Sequence, residues 1–172
     1  MRVPVLIALA VFVPIGAEAM LSARHDRLLR AAGAVEPAGD VYRAMQVAYP
    51  MAFLALLTEG TLRQVEADAW ICAGLLVFAA SKALKYWAIA SLGARWTFRV
   101  LVPPSSTPIR RGPYRWISHP NYVAVAGELT GIAIAMHAIV TALPAVAGFG
   151  ALMWRRIAVE ENALGEGRIR PT

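Results

Sequence analysis

The chain has 172 residues, of which 58% are hydrophobic and 16% charged; an ordinary soluble domain carries about 25% charged residues. Its net charge of +6 comes from 17 basic and 11 acidic residues, but apart from Lys82 and Lys85 the basic residues are arginines that flank apolar runs. That pattern encodes membrane topology rather than nucleic-acid binding. The lone cysteine, Cys72, lies inside an apolar run, which excludes an intrachain disulfide and a cysteine-based zinc site.

Read with the bilayer as solvent, residues 1–172 predict a single all-α integral membrane domain of about five transmembrane helices. The first, residues 3–21, carries Glu18 as its one charge and at ~1.5 Å per residue nearly covers a ~30 Å hydrocarbon core. A cleavable leader is the competing reading of this run, since Arg2 precedes it and Ala17-Glu18-Ala19 loosely resembles a cleavage site. The second, residues 43–60, is short, with Arg43 placed to snorkel at one end. The third, residues 69–92, holds Lys82 and Lys85 three apart on one face. Ionisable residues at such depth face a bundle interior or a cavity. Residues 95–108 end in Pro103-Pro104-Ser105-Ser106-Thr107-Pro108, which cannot hold a regular helix and form an ordered loop.

The polar, aromatic stretch Arg111-Gly112-Pro113-Tyr114-Arg115-Trp116-Ile117-Ser118-His119-Pro120-Asn121-Tyr122 then leads into an apolar run that lasts to Trp154, with Glu128 as its formal charge. As one helix that run would be ~52 Å long, far more than a crossing needs. It divides into spans at residues 120–137 and 141–160, with a turn near His137 to Thr141 and Pro144 tolerated close to the fifth helix's start. The arginines fix the orientation. Arg24, Arg27, Arg30 and Arg43 follow the first span, Arg95 to Arg115 follow the third, and Arg155, Arg156, Arg168 and Arg170 follow the fifth. The N-terminus is expected outside and the C-terminus in the cytoplasm.

Two polar constellations fall on that cytoplasmic side. Gly112-Pro113-Tyr114 reads as a turn, and Ser118 or His119 caps a helix that has Pro120 in its first position. Such a helix start, with its free N–H groups and positive dipole end, suits the carboxylate of an amino-acid-like ligand. Tyr114, Trp116, His119 and Tyr122 add aromatic faces for a base or a cation; an interfacial aromatic belt is the plainer reading. Arg156 and Glu160 stand four apart on one helical face. They form either a structural ion pair or a functional pair, Arg156 holding an anionic acceptor and Glu160 a cofactor; Glu161 points elsewhere. Glu18 and Glu128 either pair with the lysines or line an acceptor cavity. His25 and His137 have no partners at metal-ligand spacing, and no metal is expected.

Gly112-x-Tyr114, His119-Pro120-Asn121-Tyr122 and Arg156-x-x-x-Glu160 together resemble the successive motifs of the isoprenylcysteine carboxyl methyltransferase superfamily. Glu18-x-x-x-Ser22-x-Arg24, Gly33-Ala34-Val35-Glu36 and Lys85-Tyr86-Trp87-Ala88-Ile89-Ala90-Ser91-Leu92-Gly93 extend the resemblance toward its bacterial alkylpyrone O-methyltransferase-type branch, over about residues 18–164. The resemblance implies an integral membrane O-methyltransferase that uses S-adenosylmethionine. Its acceptor is a lipophilic small molecule or a prenylated group bearing a carboxylate or acidic hydroxyl. The cell membrane is the implied location, with membrane lipids as neighbours, and residues 95–164 carry the cofactor site. Residue by residue, it implies that Ser106, Thr107, Pro108 and Ile109 form a backbone-rich cofactor strip. Tyr114, His119, Pro120, Asn121 and Tyr122 would close the pocket, Glu160 would bind the cofactor, and Arg156 would contact the acceptor.

Two positions depart from the pattern. Ser118 stands where the family has Arg before His-Pro, a change that either weakens cofactor binding or shifts the task to Arg115. Lys85 stands where Arg is common, keeping the charge but not the planar fork. Two other readings compete: an NADPH-dependent membrane reductase of related fold, and a non-catalytic membrane scaffold.

Overall fold

The computed structural model describes residues 2–104 and 109–166, which form five α-helices: α1 (Arg2–Ala31), α2 (Tyr42–Leu62), α3 (Ala69–Leu92), α4 (Pro120–Ala135) and α5 (Ile139–Glu166). Two 3-10 turns, Gly93–Arg95 and Gly112–Arg115, flank the segment between α3 and α4. No strand is present among the described residues. The expected helices are all found, but their relation to a bilayer differs. Among the described residues, three stretches are long and apolar enough to cross a membrane: Val3–Ala31, Ala69–Arg95 and Ile139–Asn162. Helix α4 has 16 residues, ~24 Å at the helical rise, and α2 is diluted by Arg43, Gln46 and Glu59.

Helix α1 also runs ten residues past the expected boundary at 21. The apolar run ends there, but Arg24, Arg27, Leu28, Leu29 and Arg30 are good helix formers that continue the ladder. Gly33 stops it. At φ +84 it lets the Ala34 amide reach back to the Leu29 carbonyl at 2.9 Å and its own amide reach Arg30 at 3.0 Å, a Schellman ending. The α4–α5 turn falls at 136–138, with His137 at φ 49, so α5 begins at Ile139 and Pro144 sits within its second turn.

Helices α3 and α4 pack backbone to backbone. A Cβ on Gly131 would lie 2.7 Å from the Phe78 amide nitrogen and 2.8 Å from the Gly74 carbonyl oxygen, so only glycine allows this approach. At the end of the molecule where α2 finishes and α5 starts, Glu59 accepts from the Val140 and Thr141 amides at 3.0 and 2.8 Å and from the Thr141 hydroxyl at 2.7 Å. This carboxylate supplies the cap that the start of α5 otherwise lacks. Phe53, Leu56, Leu129, Ile132 and Met136 fill the core between α2 and α4. The outer surfaces of α1, α3 and α5 stay apolar and exposed, as at Leu6, Val13, Leu76 and Leu143.

Candidate active site

The site is built at the end where α1, α3 and α5 finish and α4 begins. Gly112, at φ +58, sits so close to α3 that a Cβ would overlap the Ser91 hydroxyl. The Arg111 Nε donates to the Ser91 carbonyl at 2.8 Å, and Trp116 packs on Trp87 with ring centres 5.9 Å apart. The turn clamped in this way directs Tyr114 into a cavity of about 1130 Å³. Burial, and then the nearby charge of Glu160, push the Tyr114 hydroxyl pKa above its ordinary value.

His119 occupies the N-cap position of α4 with Pro120 first in the helix, but no side chain caps it; the cap expected from Ser118 or His119 is positional only. Pro120 is fully buried, whereas Ile109, Ser118, His119, Asn121 and Tyr122 line the cavity. The Tyr122 hydroxyl donates to Glu160 Oε2 at 3.0 Å, and the His119 and Tyr122 rings stack at 5.5 Å. His119 Nδ1 lies 3.9 Å from Glu160, and its Nε2 lies 3.2 Å from Glu161. Glu161, set aside on helical phase, thus reaches the site through the histidine. Ser106, Thr107 and Pro108 lie outside the described residues.

Arg156 and Glu160 do not pair with each other. Arg156 is 7% exposed and reaches across to the start of α2 and the connection before it, where its Nη1 lies 3.8 Å from both Met45 Sδ and Asp40 Oδ1. The structural ion pair with Glu160 is therefore excluded as Arg156's role. Its Nε is buried with no hydrogen-bond partner, and so is Asn121 Oδ1. Buried polar atoms are nearly always satisfied, so two orphans in one cavity wall mark a place for a ligand's polar groups.

Ser22, Val35 and Glu36 stand in segments of the resemblance, but the contacts they make around the site were not legible in the sequence. The stretch after α3 lines the cavity and is tied to α1 and the following connection: Ser22 accepts from the Phe98 amide at 2.8 Å, and Val35 and Val102 exchange backbone hydrogen bonds at 3.0 and 3.1 Å. Arg99 bridges Asp26 at 3.3 Å and Glu36 at 2.8 Å, while Arg30 also pairs with Glu36. Burial alone would raise the Glu36 pKa, but these guanidinium hydrogen bonds outweigh it and hold the carboxyl below its ordinary value. Asp40 accepts from the amides of Val100 at 3.0 Å and Tyr42 at 3.1 Å, linking the crossing stretch to Arg156.

Below these groups, the four charges noted within the expected spans meet. Lys82 Nζ lies 2.8 Å from Glu18 and 3.3 Å from Glu128; Lys85 Nζ lies 2.6 Å from Glu18 and 3.5 Å from Glu128. Tyr49 of α2 donates to Glu128. Each lysine thus contacts both carboxylates, and the cluster is charge-balanced.

A model of the isoprenylcysteine carboxyl methyltransferase (ICMT) family matches residues 72–166. The chain is 30% identical over 154 residues to the uncharacterized protein YpbQ of Bacillus subtilis (strain 168), a match covering 90% of this chain and 92% of YpbQ. No solved structure matches the chain.

Proposed function

The chain belongs to the isoprenylcysteine carboxyl methyltransferase family, and on that premise we propose that it is a multi-pass cell-membrane O-methyltransferase. Its cofactor is S-adenosylmethionine, and its acceptor is a lipophilic molecule bearing a carboxylate or an acidic hydroxyl. One observation carries the reading. A single cavity extends from the His119–Tyr122 turn and Glu160 to apolar walls at Ile15, Pro50 and Phe149. Its volume of about 1130 Å³ stands at the top of the ~300–1,000 Å³ range of ligand pockets, room for a cofactor beside the head of an acceptor.

The residues fit the cofactor's chemistry. Glu160 and the aromatic faces of Tyr114, His119 and Tyr122 form an anionic, π-rich wall suited to a cation or an amine. At the start of α4 Pro120 has no N–H and the Tyr122 and Val123 amides bond the His119 carbonyl, so the Asn121 amide is the donor left for a carboxylate, and Ser106 to Ile109 would complete the cofactor's side. When bound, S-adenosylmethionine supplies a methyl group activated by its sulfonium. A carboxylate or acidic enol is already anionic near neutral pH, so the protein has no need of a strong general base, and positioning dominates. Arg156 meets Met45 and Asp40 at 3.8 Å and also bonds the Tyr122 hydroxyl, but its Nε has no partner and can help orient that anion. A looser hold than a full bidentate pair is an advantage, since over-stabilising the reactant slows its transfer. The reading is tested with tritiated S-adenosylmethionine, purified protein and a total lipid extract. Label entering the lipid fraction supports it, whereas NADPH-dependent reduction of a lipid without label would replace it with the reductase reading.

For the orientation we propose five crossings, the N-terminus outside and the site on the cytoplasmic face, because the arginines gather at that end. In a Cys72→Ser background, an impermeant thiol reagent applied to intact cells is expected to label Gln64→Cys and to spare Ala38→Cys. The opposite pattern would reverse the orientation.

A further inference from the structure

Buried ion clusters contribute little net stability beside the apolar packing that could replace them, so joining helices does not account for the cluster of Glu18, Lys82, Lys85 and Glu128. Its relation to the cavity offers a reason. Lys85 and its neighbour Tyr49 line the cavity, while Glu18, Lys82 and Glu128 do not. The ammonium of Lys85 has one close partner, Glu18 at 2.6 Å, and two distant ones, the Tyr49 hydroxyl at 3.2 Å and Glu128 at 3.5 Å. An ammonium carries three donors, and its two long contacts are those an incoming oxygen can take over. The Tyr49 hydroxyl gives its proton to Glu128 and keeps acceptor capacity for a ligand O–H. The same lining brings apolar Ile15, Pro50, Val125 and Phe149 to the cavity, with Gln46 one turn before Tyr49 on α2.

The spacing from the site above is short. Arg156 touches Met45, and Tyr49 stands four residues further along α2 on the same face, one helical turn or ~6 Å deeper. We propose that Tyr49 and Lys85 form an acceptor-recognition subsite that binds a second oxygen on the acceptor's head group. That oxygen lies about one helical turn further into the protein than the oxygen held at Arg156. The proposal deepens the methyltransferase reading and rests on it for the ligand's role as acceptor. It makes Tyr49 and Lys85 specificity-determining: a ligand with only hydrocarbon at that depth leaves the lysine its long contacts, whereas one with an oxygen there shortens them. Sites built to hydrogen-bond a ligand hydroxyl discriminate strongly against analogues that lack it.

The experiment is a cycle between one protein hydroxyl and one ligand hydroxyl. An alkylresorcinol and the matching meta-alkylphenol, identical but for one ring hydroxyl, are titrated into the detergent-purified full chain. Binding is read from tryptophan fluorescence, to which Trp96 in the cavity wall contributes. Wild type is expected to bind the resorcinol roughly tenfold tighter. Tyr49→Phe, which keeps the ring packing against Phe53 and Phe149, is expected to bring the two ligands within about twofold by weakening the resorcinol alone. Absence of the preference in wild type, its persistence in Tyr49→Phe, or an equal loss for both ligands would each overturn the subsite. The wild-type comparison needs no variant to fold. Because binding is read without turnover, a preference seen in protein that transfers no methyl group would sink the enzymatic reading and leave the subsite standing.

Discussion

Replacing Arg156 by lysine is expected to lower methyl transfer at least about tenfold while leaving cofactor affinity within a few-fold. The expectation follows from where the side chain is held. Arg156 is buried, unpaired with Glu160, and supported by contacts of 3.8 Å to Met45 and Asp40 and by the Tyr122 hydroxyl. Lysine keeps the charge, but it lacks the planar, multi-donor geometry that fixes an anion's orientation. A tenfold loss corresponds to ~1.4 kcal/mol of transition-state stabilisation, a modest figure for a mispositioned reactant. The check is transfer of a tritiated methyl group and cofactor binding measured on one preparation. Parallel losses in both would place Arg156 in the cofactor pocket; no loss in either would make it a packing residue.

The largest effect on folding is expected at Glu128. It is fully buried and is shared by Lys82, Lys85 and Tyr49. Glu128→Leu would leave two ammonium groups facing one carboxylate in a water-poor interior. Breaking one side of such a cluster costs about 3–5 kcal/mol, a large share of the ~5–15 kcal/mol that holds a domain folded. Thermal unfolding in detergent should therefore show a large fall in midpoint or a loss of the cooperative transition. Replacing all four charges together, with Glu18→Leu, Lys82→Met, Lys85→Met and Glu128→Leu, should recover most of that loss, because no unpaired charge remains. A Glu128→Leu variant as stable as wild type would mean that the cluster is not assembled.

The helices were legible because each is an apolar run bounded by arginines, glycines or prolines, and those boundaries are local. The extension of α1 to Ala31 was not, since hydropathy ends at Leu21 while helix-forming residues continue to Gly33. A bilayer reading of the sequence follows the first signal, and the backbone follows the second. The four buried charges were conspicuous one by one. Their pairing was hidden, because Glu18 and Lys82 stand 64 residues apart and only the packing of α1, α3 and α4 brings them together. At the site, the i, i+4 spacing of Arg156 and Glu160 pointed to a mutual pair. Burial instead turned Arg156 toward Asp40, a residue no motif marks, while Glu160 took Tyr122 and His119. The sequence resemblance named Ile109, Tyr114, His119, Asn121, Tyr122, Arg156 and Glu160, which share the cavity wall; it carried no signal for Tyr49, whose place beside Lys85 depends on how α2 packs.

The most direct measurement is equilibrium binding of S-adenosylhomocysteine to detergent-purified protein, wild type beside Glu160→Ala and His119→Ala, with NADPH as the competing ligand. If the wall formed by the start of α4 and Glu160 holds the cofactor, wild type binds S-adenosylhomocysteine and not NADPH. Each variant, still monodisperse, then binds it roughly 10- to 150-fold more weakly, the value of one charged hydrogen bond. Unchanged affinity in both variants, or saturable binding of NADPH in place of S-adenosylhomocysteine, would contradict the account.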